Sequence, residues 1–199
     1  QLSTIEGGMV NTNDKDLYNT LLMLRSHGWG KDLDPETYSN LMQENEIETF
    51  HQPFTFFIEG FNVRATDLQA FIGSRQIQKA DWISHRRNEN HIRYAKNLQG
   101  SVSFQNWGNN YPVSISFGAL AKSKEHRKNI INGLVKNGIE TRIYSAGNLG
   151  RHPFWTSKYG VFEDEVSDKI HQTGFFLPNY PELTIEEVDF ISNVVITNS

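Results

Sequence analysis

An α/β fold follows from three features of the amino-acid sequence. Thr66-Asp67-Leu68-Gln69 and Thr184-Ile185-Glu186-Glu187 are helix starts, since a Thr hydroxyl and a Gln or Glu three residues on satisfy each other's backbone N–H groups. Between them, 101–105, 112–120 and 139–144 have strand character, the second run alternating Val113, Ile115 and Phe117. Gly138 and Gly174 stand where the intervening helices must end.

Taken in order, Ser3 to Thr12 reads as two short strand-like pieces around the Gly7-Gly8 turn. Asn13 offers its side-chain oxygen to cap a helix with Asp16 in its first turn. Leu17, Leu21 and Leu24 give that helix one apolar stripe, and Gly28 and Gly30 end it. Residues 29–60 are the least regular stretch, with Trp29, Tyr38, Phe50, Phe54, Phe56 and Phe57 among polar residues and Pro35 and Pro53 as breakers. So aromatic a loop fits two roles, packing onto a neighbouring surface or serving as a lid or oligomer interface. No proline interrupts residues 67–99, so the spacing predicts one helix of about 50 Å at 1.5 Å per residue, bridging two domains. Gly73 inside it costs about 1 kcal/mol against alanine unless a close neighbour needs the space. Beyond it, Ser123 caps a helix whose face is Ile130, Ile131, Leu134 and Val135. Residues 163–173 form another, and Leu183 and Val188 staple the last, where Val188, Ile191 and Val195 face the core. The organisation predicted is the end of a larger domain over 1–65, a connecting helix over 66–99, and a small α/β domain over 100–199.

Composition narrows the function. Nineteen Lys and Arg against 23 Asp and Glu leave a net charge of −4, with no basic surplus for a phosphate backbone, so no nucleic-acid partner is expected. No apolar run approaches the roughly 20 residues that span a bilayer, and neither end reads as a targeting segment. The absence of cysteine excludes disulfides, thiolate metal sites and a thiol nucleophile, and it fits a reducing cytoplasm. The seven histidines lack HExxH or H-x3-H spacing, so no metal is expected. A Walker loop and GxGxxG are also missing.

Three ordered motifs carry more. Thr4-Ile5-Glu6-Gly7-Gly8-Met9-Val10 with Leu24-Arg25-Ser26-His27-Gly28, then Gly60-Phe61-Asn62-Val63-Arg64 with Asp67-Leu68-Gln69-Ala70 and Gly73, then Leu177-Pro178-Asn179 before Leu183-Thr184-x-Glu186-Glu187-Val188 together resemble the DegT/StrS family of pyridoxal-phosphate-dependent nucleotide-sugar enzymes. Phe61 stands where that family usually has Tyr. The resemblance implies the C-terminal portion of an aspartate-aminotransferase-like (fold type I) enzyme that uses pyridoxal 5'-phosphate (PLP), with pyridoxamine phosphate as its aminated form. In the family a Schiff-base lysine lies six positions before the Glu of Glu-Gly-Gly. Here that slot falls one residue upstream of Gln1, so no catalytic residue is expected within the chain itself.

By the same resemblance Asn62 donates to the PLP phosphate of a neighbouring subunit, which implies a homodimer. From the residues alone, a turn-forming Asn after Gly60 fits as well. Arg64 could pair with an acidic group, help hold a dimer, or be a simple surface arginine, and His27 reads as a structural helix cap. Ala146-Gly147-Asn148-Leu149-Gly150-Arg151-His152-Pro153-Phe154-Trp155 combines glycines that admit close approach with polar groups and aromatics. It resembles the Gly-Asn-x-x-Arg-x-Pro loop of the family branch handling 4-keto-6-deoxy sugars, which makes Asn148, Arg151 and His152 candidate substrate-binding residues. A structural loop whose Arg pairs locally is the alternative. The resemblance implies an aminotransferase that takes nitrogen from an amino acid, most often glutamate. Its acceptor is a keto group of a nucleotide-linked deoxysugar in cell-surface polysaccharide or related sugar biosynthesis. A 3-dehydratase with His in the lysine slot, and a non-catalytic truncated module, are the competing readings.

Overall fold

Helix α1 (Lys15–Leu24) begins at Asp14, whose carboxylate accepts from the Asp16 and Leu17 N–H groups at 2.9 and 3.0 Å. The start lies one residue beyond Asn13 because Thr12 Oγ1 accepts the Asp14 N–H and sets that residue as the cap. The computed structural model describes residues 2–199 and divides them into two units, 2–78 and 79–199. In the first unit the expected strand pieces at 3–12 do not form. A strand needs a partner ladder, and among the described residues nothing pairs with this segment. The α1 stripe also differs from expectation, for Met23 is buried while Leu17 is exposed.

Within the irregular stretch sits a helix the spacing did not predict, α2 (Pro35–Glu44), capped by Asp34 with Pro35 at its first position. That pairing is a recognised start signal, since the missing proline N–H would have had no helical partner. The aromatics pack locally. Trp29 stacks on Phe54 at 5.4 Å and donates from Nε1 to Pro53 O at 2.8 Å, and Tyr38 donates to Gln52 O at 2.7 Å. Phe50 and Phe54 still face outward.

Helix α3 (Asp67–Gln76) opens on the predicted capping box, both halves formed. The single rod expected over 67–99 is instead α3, a 3-10 turn at Ile77–Lys79, and α4 (Ala80–Leu98). The tighter turn interrupts the i→i+4 ladder where the two units divide.

The second unit is a four-stranded antiparallel sheet with helices packed on it. Its strands are β1 (Ser103–Phe104), β2 (Ser116–Leu120), β3 (Arg142–Ile143) and β4 (Gly174–Pro178), in the order β1-β2-β4-β3. Its remaining helices are α5 (Lys124–Lys136), α6 (Pro153–Tyr159), α7 (Glu165–Thr173) and α8 (Ile185–Thr197). The register sets Phe117 opposite Leu177 and Ala119 opposite Phe175. All four are buried with Tyr94, Leu98, Ile130 and Val188. Helix α8 carries the predicted capping box at Thr184, with the staple pair Leu183 and Val188 both buried. Ser123 caps α5 as expected, though Val135 on its predicted face is exposed.

β2 starts at Ser116, later than the alternation of Val113 and Ile115 predicts. The carbonyls upstream are taken by side chains instead of a ladder. Arg87 Nη1 donates to Ile115 O at 2.9 Å, Asn179 Nδ2 to Ser114 O at 2.8 Å, and Asn88 Nδ2 to Pro112 O at 3.1 Å. Carbonyls left out of a ladder still need donors of some kind, and these supply them.

Helices α4 and α8 are joined by charge as well as packing. Arg93 donates from Nε and Nη2 to the two oxygens of Asp189, at 2.6 Å each, and Asn97 Nδ2 adds a bond of 2.7 Å. These bonds hold the Asp189 carboxyl down to about 2. Since a free Asp titrates near 3.9, the contribution to stability is complete above about pH 4 and is lost as pH falls through about 2. Asp189→Asn should therefore be less stable than the parent at pH 7 in urea unfolding, and the gap should close between pH 4 and pH 2. A gap unchanged over that range would show that ionisation of Asp189 contributes nothing to it.

Candidate functional site

Two clusters hold the candidate residues, one in each unit. In the first unit Asn62 is set by close backbone approach. The 61–63 segment runs beside the end of α1: Phe61 N–H donates to Leu24 O and His27 N–H to Phe61 O, both at 2.7 Å, and Val63 N–H to Arg25 O at 3.0 Å. Gly28 and Gly60 make this possible. A Cβ on Gly28, where φ is +85°, would sit 1.7 Å from Ile58 O, and one on Gly60 would sit 2.2 Å from Gly28 N. Only glycine admits that contact. His27 is itself left-handed, at φ +62°, and serves the chain reversal after α1 through its backbone.

Asn62 Oδ1 accepts from Arg64 Nε at 3.3 Å. Among the described residues no carboxylate bonds either side chain, and the Asn62 Nδ2 donors have no partner. Arg64 also lines a depression of about 270 Å³ with Glu6, Gly7, Gly8, Gln69 and Gly73. Two of the sequence motifs thus meet in one place. Gln69 joins them, its Oε1 accepting the Thr66 N–H at 2.9 Å and its Nε2 donating to Glu6 O. A Cβ on Gly73 would come within 3.3 Å of Thr4 Cγ2, so the glycine inside α3 has the close neighbour that justifies it.

Neutral amide donors beside an unpaired guanidinium, at the start of a capped helix, suit the oxygens of a phosphate. The residues present therefore fit the phosphate end of PLP. Its ring and aldehyde have no candidate partner among them.

In the second unit Asn148, Arg151 and His152 lie on one loop, yet much of their bonding is internal. Asn148 is buried. Its Nδ2 donates to Phe162 O at 3.0 Å and Asp168 Oδ1 at 2.8 Å, and its Oδ1 accepts the Gly150 N–H at 2.8 Å. Arg151 grips the same carboxylate with Nε and, at 2.7 Å, with Nη2. Bonds from Arg151 first and Asn148 second hold the Asp168 carboxyl far below the usual range. His152 Nε2 bonds Ala146 O at 2.9 Å. Arg151 Nη1 and His152 Nδ1 remain without bonds among the described residues.

This loop is strained. Ser145, Ala146 and Gly147 have consecutive φ values of +44°, +66° and +69°, and the first two are residues that rarely adopt them. Gly147 has no alternative, because a Cβ there would meet His171 Nδ1 at 2.4 Å. Asp168 and His171, both on α7, are the positioning residues that sequence reasoning did not find. Their only local signal is helical spacing, with nothing to indicate that α7 turns them toward a loop some twenty residues upstream. Asp168→Ala should speed amide hydrogen exchange at Gly147–Arg151 while leaving α4 and α8 amides unchanged. Unaltered exchange in the loop would show that the carboxylate does not hold it.

The sequence model of the DegT/DnrJ/EryC1/StrS aminotransferase family matches residues 1–196. A GDP-4-keto-6-deoxy-D-mannose 3-dehydratase of Yersinia pseudotuberculosis is 28% identical over 201 residues, covering 98% of this chain and 50% of that protein. A GDP-perosamine synthase of Escherichia coli O157:H7 is 28% identical over 197 residues, covering 96% and 46%. The chain spans about half the length of the curated relatives it matches. Among solved structures, an E. coli GDP-4-keto-6-deoxy-D-mannose-3-dehydratase with bound hydrated PLP superposes with a TM-score of 0.79 at 22% identity, over 97% of this chain and 51% of that one. Helicobacter pylori PseC, an aminotransferase involved in the biosynthesis of pseudoaminic acid, gives 0.73 at 20% identity, over 94% and 47%. The α/β fold is thus that of a portion of the fold type I PLP-dependent aminotransferases.

Proposed function

The chain belongs to the DegT/DnrJ/EryC1/StrS aminotransferase family, and from that premise we propose that it forms part of a PLP-dependent enzyme aminating a keto group of a nucleotide-linked deoxysugar. The observation that carries this reading is the unbonded Asn62 Nδ2 beside Arg64, whose side chain shares one depression with Gln69 and the Glu6-Gly7-Gly8 segment. Bound PLP would supply an electron sink for the carbon bearing the amino group. The chain's own part is binding and orientation. Asn62 donates to a phosphate oxygen without adding charge, across the homodimer interface that the family pattern implies. Arg64 fixes the amide by holding Oδ1, and its remaining guanidinium donors face the same anion.

Residues 1–65 then complete the large domain and residues from 100 form the small one. Within the small domain Asp168 positions the loop. Arg151 Nη1 is left to donate to sugar or phosphate oxygens and His152 Nδ1 to accept from a sugar hydroxyl, and Asn148 acts by holding Gly150 and Asp168 in place. The amino donor is an amino acid, glutamate by family pattern, and the compartment is the cytoplasm.

A second reading has specific support. The similarity to the Yersinia 3-dehydratase, together with the Asn148-to-Arg151 loop, favours removal of the sugar 3-hydroxyl with a histidine in the lysine position. Such an imidazole could move protons near neutral pH. Incubating the full-length protein with PLP, ¹⁵N-glutamate and a nucleotide-linked 4-keto-6-deoxysugar separates the two by mass spectrometry. Aminotransfer leaves ¹⁵N in the sugar, whereas dehydration yields a 3-deoxy product without nitrogen. Neither product would leave the non-catalytic reading standing.

Residue-level tests follow from the same assignment. Asn62→Ala in the full-length protein should raise the PLP dissociation constant by about tenfold or more, the scale of one hydrogen bond to a charged group. Unchanged PLP retention would remove Asn62 from the site. Arg151→Ala should raise KM for the nucleotide sugar by about tenfold, with partial recovery in Arg151→Lys. Kinetics indistinguishable from the parent would leave Arg151 as a loop anchor only.

A further inference from the structure

Between α5 and β3 runs an open groove of about 770 Å³, within the size range of small-molecule sites. Lys124, Arg127 and Lys128 come from one face of α5, at i, i+3 and i+4. Arg142 comes from β3, and Ile131 and Ile143 give the groove apolar lining. Four cations against one acidic lining residue, Glu125, is a local excess in a chain whose net charge is −4.

These cations are only weakly neutralised. Lys128 lies 3.8 Å from Glu125 and Arg142 lies 3.3 Å from Glu140, with all four side chains at least two-thirds exposed. Such pairs contribute little and exchange readily for a better anion. Among the described residues Lys124 has no ion pair. Arg127 donates Nη1 to His171 O at 2.7 Å, which orients its guanidinium and, among the described residues, leaves its other donors unbonded. Glu125 and Glu140 are the acids bordering the site, and each already faces one of its cations.

We propose that this groove binds a phosphorylated organic molecule, with a pyrophosphate group as the recognised unit. Three cations on a helix face and one on the sheet edge present donors from two walls, more than a single phosphate needs. The apolar lining receives the organic group that the phosphates carry. The inference rests on the groove alone and does not depend on which sugar reaction the family fold performs.

Titration calorimetry of the full chain, with inorganic pyrophosphate and with ADP at low and physiological salt, tests it. ADP should bind more tightly than pyrophosphate, and both affinities should fall as salt rises. The double substitution Lys124→Glu with Lys128→Glu should weaken both by about tenfold or more. Both positions are exposed, and an unchanged circular dichroism spectrum and thermal midpoint would establish that the variant folds. Arg142→Ala should weaken both ligands less than the double reversal does. Absence of heat with either ligand, binding indifferent to the charge reversals, or sulfate binding as tightly as pyrophosphate would each overturn the proposal. The failure would leave the aminotransfer reading untouched, because that stands on Asn62 and on product analysis.

Discussion

The second unit depends on how α4 supplies donors to backbone carbonyls that no strand pairs. One face of this helix supplies Tyr94 and Leu98 to the core, and neighbouring positions supply Arg87, Asn88 and Asn90, which are buried and polar. Backbone carbonyls outside a ladder still need donors, and among the described residues no strand pairs with the 112–115 segment. Arg87 and Asn88 meet that requirement from the helix, and Asn179 meets it from the end of β4. Asn90 does the same for Tyr180 O at 3.3 Å. These side chains fix where β2 can begin and where β4 must stop. The α4–α8 pair, tied by Arg93 and Asp189, then closes the core over them.

The first unit meets a different constraint, which is backbone against backbone. The chain leaving α1 and the chain approaching α3 come so near at Gly28 and Gly60 that neither position has room for a Cβ. That contact aligns 61–63 with 24–27 and presents Asn62 at a defined point instead of on a loose turn. Gln69 links the opening motif to the same place while completing the cap of α3. Local helix-start chemistry and the placement of a functional segment are thus carried by one side chain.

Loop 145–152 combines strain with firm anchoring. Left-handed backbone at Ser145 and Ala146 persists only where surrounding bonds determine it. Asp168 and His171 supply that determination from α7, the latter through its ring nitrogen facing Asn148 N–H at 3.2 Å. Polar residues drawn to a ligand loop by their types therefore divide their work. Asn148 is occupied in holding the loop, whereas Arg151 and His152 each keep a nitrogen free to act outward.

What the sequence alone determined is what nearest neighbours decide. Both capping boxes, the Ser123 cap, the Leu183–Val188 staple and the α/β class depend on residues a few positions apart, and each forms as its pattern requires. The motifs at Glu6 and Asn62 were legible as motifs. Their meeting was not, because it depends on the Gln69 side chain reaching Glu6 O, 63 residues away in the chain. Tertiary structure likewise decided the break after Gln76, the late start of β2, the absence of strands over 3–12 and the Asp168 anchor. In each case the outcome depends on which distant group satisfies a backbone polar atom or a charge, and local spacing carries no record of that partner.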